Sequence, residues 1–252
     1  MKKIKTSSLF ASVLLLIGMS SCAQNNPDQK ATKGIAVLEL FTSEGCSSCP
    51  PADELLGKIQ NENKDGQVYV LSYHVDYWDR QGWKDIFSNQ EYTRRQYDYA
   101  KWLGKEPIYT PQVVVNGKKD YIGSDEVTVR NAISSALSKP ATAEVTLKTT
   151  TVNNKLNVHY SVNGISKNSR LLLAVVQKSA KSNVKRGENA NRVLSHYQIV
   201  KELHSVALKN NGNGSTIVAA PKDFIAKDFE VIGFVQDTNS GAILGAARAE
   251  NN

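Results

Sequence analysis

The chain carries two different patterns of apolar and polar residues, and the change between them falls near Lys139 and Pro140. Before this point, short apolar runs alternate with segments that repeat apolar residues at helical spacing, and after it apolar residues recur at every second position. Alternating strands and helices are typical of layered α/β folds, whereas short strands separated by turns are typical of antiparallel sandwiches. We therefore expect an α/β domain over residues 34–139 and an all-β domain over residues 140–252.

The first half contains recognisable element boundaries. Pro51 opens a helical segment, Gly104 ends another, Asn116-Gly117 is a hairpin turn signal, and Ser124-Asp125 is an N-cap signal. These signals predict strands over 34–41, 68–75, 112–115 and 118–122, and helices over 51–59, 89–103 and 126–137.

The second half predicts short strands of an immunoglobulin-like sandwich, because turn residues interrupt the alternating pattern at regular spacing. The predicted strands are 143–148, 156–162, 170–177, 192–200, 215–219, 229–236 and 242–249.

The N-terminus has the features of an export signal. Three lysines precede an apolar run that is too short to span a bilayer, and small residues then lead to Cys22. This arrangement resembles the bacterial lipoprotein cleavage box, which implies a lipoprotein signal peptide over 1–21, lipid on Cys22, and a polar tether over 22–33. Secretion without a lipid is the alternative, because Met19 stands where leucine is commonest in that box.

Processing of this kind changes the charge and the cysteine count. The net charge of +7 falls to +4 when Lys2, Lys3 and Lys5 are lost, and no basic block remains that would follow a phosphate backbone. Nucleic-acid binding is therefore not expected. The folded part keeps Cys46 and Cys49, which in an oxidising compartment can bond to each other or to a sulfur of another molecule.

The segment Cys46-Ser47-Ser48-Cys49 lies between a predicted strand and a predicted helix. A Cys-x-x-Cys pair at such a junction is typical of dithiol and disulfide chemistry, because the positive end of the helix dipole stabilises a thiolate. Cys46, at the loop end, is the expected nucleophile. Cys49, at the start of the helix, is the expected resolving thiol.

Two segments around these cysteines resemble glutaredoxins and, more broadly, the thioredoxin superfamily. They are residues 38–49 and the Tyr109-Thr110-Pro111 segment with the hairpin that follows it. The resemblance implies a thioredoxin-like fold for residues 34–139 with a helical insertion, a cis Pro111, and a Thr110 backbone that can pair with a bound peptide. Glu39 lies near the position of a buried carboxylate in thioredoxins, which would make it a proton acceptor for Cys49; a role at a sheet edge is an equal alternative.

The whole chain also resembles a family of secreted, thioredoxin-like bacterial proteins whose function is unknown. The stretches that carry this resemblance are 39–53, 74–79, 82–85, 109–117, 187–190 and 194–197. The family implies a fold and a role for the cysteines, but no established reaction.

Other side chains that could take part lie after the second strand. His74 ends that strand, so it could join Cys46 and Cys49 as a copper ligand, although a histidine hydrogen-bonded in a polar loop is the preferred interpretation. Asp76, Tyr77 and Trp78 follow and are candidates for a substrate groove. The histidines of the second half have no ligand spacing, so we interpret them as structural; they are His159, His196 and His204.

We therefore expect a thiol–disulfide oxidoreductase of the cell envelope that acts on disulfide-containing or dithiol proteins without a cofactor. The alternatives are a non-enzymatic binding module with a structural disulfide and a copper carrier. Ala23 after the lipidated cysteine favours the outer membrane, and the periplasmic side is the expected location. The sequence does not predict the oligomeric state.

Overall fold

A computed structural model describes residues 32–64, 66–153, 155–208 and 212–251 of the chain. This part contains two β-sheets, three α-helices and two short 3-10 helices, Asp79–Gln81 and Ala226–Asp228. The predicted signal peptide, Cys22 and nearly all of the predicted tether lie outside the described residues. The α-helices are α1 (Pro50–Glu62), α2 (Gln90–Leu103) and α3 (Glu126–Leu137). Among these residues, no helix combines the length and the apolar character that a membrane crossing requires.

The strands follow the expected positions closely, but two of them are much longer than expected. They are β1 (Ala36–Thr42), β2 (Val68–His74), β3 (Gln112–Val115), β4 (Lys119–Ile122), β5 (Glu144–Val152), β6 (Lys155–Asn163), β7 (Ser169–Asn183), β8 (Val193–Ala207), β9 (Asn213–Ala219), β10 (Phe229–Asp237), β11 (Ile243–Arg248) and β12 (Glu250–Asn251).

Eight of these strands form one mixed sheet in the order β11-β10-β7-β8-β2-β1-β3-β4, and the others form a second sheet in the order β12-β5-β6-β9. The two halves of the chain meet where β8 pairs with β2 in parallel, at Ser72 and Ile199. The Ser72 hydroxyl also donates a hydrogen bond of 2.7 Å to the Tyr197 carbonyl. This joint places the end of β2 beside the middle of β8.

The expected fold class, an α/β thioredoxin-like domain followed by a separate immunoglobulin-like sandwich, is wrong. Four strands of the second half belong to the same sheet as the strands of the first half. The reason lies in β7, where every residue from Leu171 to Val176 is buried. A sandwich strand has one solvated face, whereas a strand that is apolar at successive positions must be covered on both faces.

Three apolar clusters show how the layers pack. One face of β1, β2 and β3 is covered by α1 and α3. The opposite face of β1 and β2, together with one face of β7 and β10, packs around α2. The other face of β7 and β10 is covered by the second sheet. The large sheet is therefore the shared centre of a single compact unit.

The local predictions for helix ends and turns are confirmed. The β3–β4 turn places Asn116 at φ 49° and Gly117 at φ 64°, as a tight hairpin turn requires. Gly104 ends α2 at φ 61°, and the Asp125 carboxylate accepts a hydrogen bond of 3.1 Å from the Thr128 backbone amide at the start of α3.

Candidate functional site

The loop between β1 and α1 contains a disulfide bond between Cys46 and Cys49, whose Cα atoms are 5.4 Å apart. Cys49 occupies the N-cap position of α1, and Pro50 and Pro51 begin the helix. Proline suits the first turn because its missing N–H would have no partner inside the helix. Because proline has no N–H, the same two prolines leave fewer free N–H groups to stabilise a cysteine thiolate. The helix dipole and nearby hydroxyl groups must therefore supply this stabilisation.

Both cysteines are covered. Cys46 is 1 % exposed and Cys49 is 0 % exposed, although the intervening Ser47 and Ser48 are exposed. Cys46, the expected nucleophile, is therefore hardly more exposed than Cys49 in this conformation. The Ser48 hydroxyl lies 3.3 Å from the Cys46 sulfur, where it can donate a hydrogen bond to a thiolate.

The segment between β7 and β8 is hydrogen-bonded to the backbone of the cysteine loop. The Asn189 side-chain amide, which is fully buried, donates hydrogen bonds of 2.9 Å to the backbone carbonyls of Glu44 and Cys46. The adjacent Glu188 carboxylate accepts a 3.0 Å hydrogen bond from the Ser47 amide. Hydrogen bonding with the Ser47 side chain, and then with this amide, lowers the pKa of Glu188. The segment 187–191 is thus tied directly to the cysteine loop.

The Thr110–Pro111 peptide bond is cis, as the resemblance implied. Pro111 and Ala52, which lies in the first turn of α1, both lie next to Gly123. A Cβ atom added to Gly123 would be 3.3 Å from Pro111 and 3.2 Å from Ala52, so Pro111 lies near the start of α1. The Thr110 hydroxyl accepts a hydrogen bond of 2.9 Å from the indole of Trp78. Trp78 therefore links the cis-proline segment to the loop after β2.

The three groove candidates are half-buried and make internal contacts. Asp76 is hydrogen-bonded to Thr93 of α2, and Tyr77 and Trp78 pack against the cluster around α2. Burial raises the pKa of Tyr77 to about 12. A shallow depression of about 430 Å³ lies elsewhere, along the outer side of α1 beyond its first turn, and neither cysteine lines it.

Glu39 has partners other than those expected. It is fully buried on β1, where its carboxylate lies 2.6 Å from the Arg95 guanidinium and accepts a hydrogen bond from the Tyr99 hydroxyl. Arg95 and Tyr99 belong to α2, which covers the opposite face of the sheet from α1. With both of its oxygens held there, the carboxylate is poorly placed to accept a proton from Cys49.

His74 lies in a buried polar cluster next to the cysteine loop. Its Nδ1 atom is 2.7 Å from the Asp85 carboxylate, and its ring packs edge-on against the ring of His196, with centroids 5.0 Å apart. Asp53, one turn into α1, lies 3.9 Å from His196 Nδ1, and Glu44 lies 3.6 Å from His196 Nε2. All five side chains are at most 3 % exposed.

Charges shift the proton affinities inside this cluster. Burial alone would lower the pKa of His196, but the neighbouring carboxylates of Asp53 and Glu44 raise it to about 9. Burial alone would raise the pKa of Asp85, but His74 keeps it below the usual value. These groups therefore interact strongly in an environment that excludes water.

The cluster contains residues that sequence reasoning assigned to no site. Asp53, His74 and His196 have side-chain donor atoms within 4.8 Å of one another, and neither cysteine belongs to this group. The signal available in the sequence was the position of His196 and Asn189 in two of the late stretches that resemble the family. Because His196 and Asn189 are far from the cysteines along the chain, the sequence did not indicate that they lie close to the cysteine loop in the fold.

Two solved structures are similar over nearly the whole chain. A crystal structure of a protein from Agrobacterium tumefaciens has 29 % sequence identity and a TM-score of 0.68, and the match covers 89 % of this chain and 96 % of that one. HBP35 of Porphyromonas gingivalis has 18 % identity and a TM-score of 0.62, over 88 % of this chain and 78 % of that one, and shows a similar fold. No curated protein matches the sequence. The family described as "Protein of unknown function (DUF1223)" matches residues 37–236, and the chain therefore belongs to the DUF1223 family.

Proposed function

We propose that this protein is a thiol–disulfide oxidoreductase of the bacterial cell envelope that uses Cys46 and Cys49. The observation that carries the proposal is the disulfide at the start of α1, with two residues between the cysteines. A short disulfide at a helix N-terminus is a common setting for reversible exchange, because the helix dipole favours the thiolate. The sequence resemblance of residues 38–49 and 109–117 to glutaredoxins supports the same chemistry.

In this reaction a thiolate of a partner protein attacks the Cys46 sulfur, and the Cys46–Cys49 bond breaks as the mixed disulfide forms. Cys49 leaves as a thiolate and takes up a proton. If Cys49, again as a thiolate, attacks the Cys46 sulfur of the mixed disulfide, the Cys46–Cys49 bond reforms and the partner leaves as the thiolate that it was. If a second thiolate of the partner attacks the partner's own sulfur in the mixed disulfide, a disulfide forms in the partner, Cys46 leaves as a thiolate, and both cysteines are reduced. The Ser48 hydroxyl stabilises negative charge on Cys46.

Access to Cys46 requires movement of the segment 187–191, because the sulfur is covered in the described conformation. Polar contacts tie this segment to the cysteine loop, namely the two Asn189 amide bonds and the Glu188 carboxylate bond to Ser47. Contacts of this kind are weak enough to open locally without unfolding the sheet. In the oxidised protein the disulfide is therefore protected from a partner thiol while the segment 187–191 is closed, and the partner reacts after this segment has opened.

The chain is held at the outer membrane by lipid on Cys22 and faces the periplasm. The lipoprotein-like cleavage box and the following Ala23 support this location, and the presence of a disulfide agrees with an oxidising compartment. Its substrates are disulfide-containing or dithiol proteins. Labelling with a radioactive fatty acid, compared between the natural chain and Cys22→Ser, tests the anchor; equal labelling of both would remove it.

The near-zero exposure of both cysteines favours one competing function, a binding module in which the disulfide is structural. The reduction potential of the pair separates the two functions, and thiol trapping across defined redox buffers measures it. Exchange proteins lie at about −120 to −270 mV, whereas structural disulfides lie below about −300 mV. We expect the first range, and a value in the second range with slow exchange would establish the binding module instead.

Trapping of a mixed disulfide identifies the nucleophile. Cys49→Ser, exposed to an oxidised model peptide, is expected to accumulate a covalent adduct through Cys46, because the resolving thiol is missing. Cys46→Ser is the matched control and is expected to form far less adduct. Equal adduct from both variants would contradict the assigned order of attack.

A further inference from the structure

Four buried polar atoms in the cluster beneath the cysteine loop lack hydrogen-bond partners within the described structure. They are Glu44 Oε1, His74 Nε2, His196 Nδ1 and Asp53 Oδ1. The last three residues each offer one possible metal-ligand atom, and these ligand atoms lie within 4.8 Å of one another. Buried polar atoms in folded proteins are nearly always satisfied, and a bound ion is one of the standard reasons for an apparent exception. Three such atoms gathered at one place on three different elements therefore need a shared partner.

The other polar atom of each of these side chains is already held. His74 Nδ1 is 2.7 Å from Asp85, His196 Nε2 is 2.9 Å from the Ser182 hydroxyl, and Asp53 Oδ2 accepts a 2.8 Å hydrogen bond from Thr42. Metal-binding histidines commonly donate their second ring N–H to a carboxylate or another oxygen, which fixes the ring and leaves the first nitrogen free as a ligand. Both histidines here have that arrangement.

We propose that His74, His196 and Asp53 bind one divalent first-row transition metal ion. Two imidazoles and one carboxylate are a donor set that suits Zn²⁺ and Fe²⁺, and three protein ligands leave a position open for water or a substrate. The further carboxyl groups of Glu44 and Asp85 surround the two rings and favour a cation.

The site has to contract to hold an ion. Bonds of about 2.0–2.1 Å to a tetrahedral ion place neighbouring ligand atoms about 3.3 Å apart. His196 Nδ1 and Asp53 Oδ1 are 3.9 Å apart, and the three ligand atoms lie within 4.8 Å of one another, so the distances between them would have to shorten by up to about 1.5 Å. The ligands come from α1, β2 and β8, so the ion would connect the two halves of the large sheet at their joint. No sulfur takes part, so the site does not depend on the proposed redox function.

Zinc binding to the protein made from the full chain, with its disulfide intact, tests the site. The protein is stripped with a chelator and titrated with Zn²⁺ alone, with bound metal measured by mass spectrometry and affinity by calorimetry. We expect one equivalent of zinc, and an affinity loss of more than about 100-fold in Asp53→Asn and in His196→Gln, since even outer-shell changes cost 10–100-fold. His159→Gln, at an exposed position on β6, is the matched control and should bind as the natural protein does.

Less than one equivalent bound by the natural protein, or unchanged affinity in both variants, would overturn the site; a shared proton would then explain the cluster. A second measurement covers the case in which the variants fail to fold. Co²⁺ added to the stripped natural protein should give visible absorption typical of nitrogen and oxygen ligands, and Zn²⁺ should remove it. The absence of that absorption, or a thiolate charge-transfer band, would also overturn the assignment.

Discussion

The hydrogen bonds between the segment 187–191 and the cysteine loop allow a quantitative prediction of how fast the disulfide is reduced. Asn189→Ala removes two hydrogen bonds of 2.9 Å to the cysteine loop, at the carbonyls of Glu44 and Cys46. It also removes a 2.6 Å bond that the Asn189 side chain accepts from nearby Arg192, which does not join the segment to the loop. If Cys46 becomes accessible only when this segment moves away, the two bonds to the loop are present in the closed form and absent in the open form. The substitution then destabilises the closed form alone.

The expected size follows from the usual net value of a hydrogen bond. Two bonds at about 0.5–1.5 kcal/mol each amount to about 1–3 kcal/mol in favour of opening. Since 1.4 kcal/mol corresponds to a factor of ten, reduction of the disulfide should accelerate about 5- to 140-fold. The rate is measured with excess dithiothreitol, by trapping free thiols with a maleimide at successive times and counting the modified cysteines by mass.

Two controls separate local opening from global unfolding. Asn239→Ala changes an asparagine in the exposed turn after β10 and should leave the rate within about twofold of the natural protein. Leu156→Ala creates a cavity between the two sheets, at a residue 2 % exposed, and should cost about 2–5 kcal/mol of global stability. If Leu156→Ala accelerates reduction as much as Asn189→Ala, or if Asn189→Ala has no effect, the segment does not guard the disulfide.

Three other perturbations follow from the described contacts. Arg95→Met leaves the buried Glu39 carboxylate without its cation and should lower the free energy of unfolding, measured by urea titration, by about 3–5 kcal/mol. Full or partial recovery of this free energy in the double variant with Glu39→Gln would confirm the ion pair. No recovery would contradict it. Gly117→Ala places a Cβ at φ 64° against the backbone of the β10–β11 turn and should cost more than about 1 kcal/mol, as measured by thermal unfolding; a neutral result would show that this turn adapts freely. The Glu188 pKa is lowered by its bond to Ser47, so that contact is fully present above the ordinary pKa of about 4.5 and is lost as the pH falls through the lowered value. Reduction by a phosphine should therefore accelerate below about pH 4 in the natural protein more than in Glu188→Gln, and identical pH profiles would show that this carboxylate does not hold the segment.

The local elements were predictable because short-range physical chemistry specifies them. Asn116-Gly117 can adopt the positive φ angles of a tight hairpin turn, Asp125 can cap a helix, and Gly104 can end one. The disulfide pair and the cis Pro111 were also expected from two short segments and their resemblance to known ones. None of these features depends on distant parts of the chain.

The arrangement of strands was decided only by tertiary structure. The run Leu171–Val176 is apolar at every position, which is compatible with several kinds of buried strand. Whether its second face is covered by a separate sandwich sheet or by α2 depends on how β8 meets β2, and that parallel contact includes a single paired position, Ser72 with Ile199. A contact so short leaves no periodic signal in the sequence.

The candidate site shows the same division between sequence and structure. Cys46, Cys49 and His74 were identifiable from their positions at the ends of predicted elements. Asn189 and His196 lie more than 140 residues further along the chain than Cys46, and only the joining of β8 to β2 brings them to the cysteine loop. The sequence by itself determined the elements and the disulfide, because these depend on neighbouring residues; the cover over the cysteines and the buried histidine–carboxylate cluster depend on long-range packing, which only the tertiary structure decides.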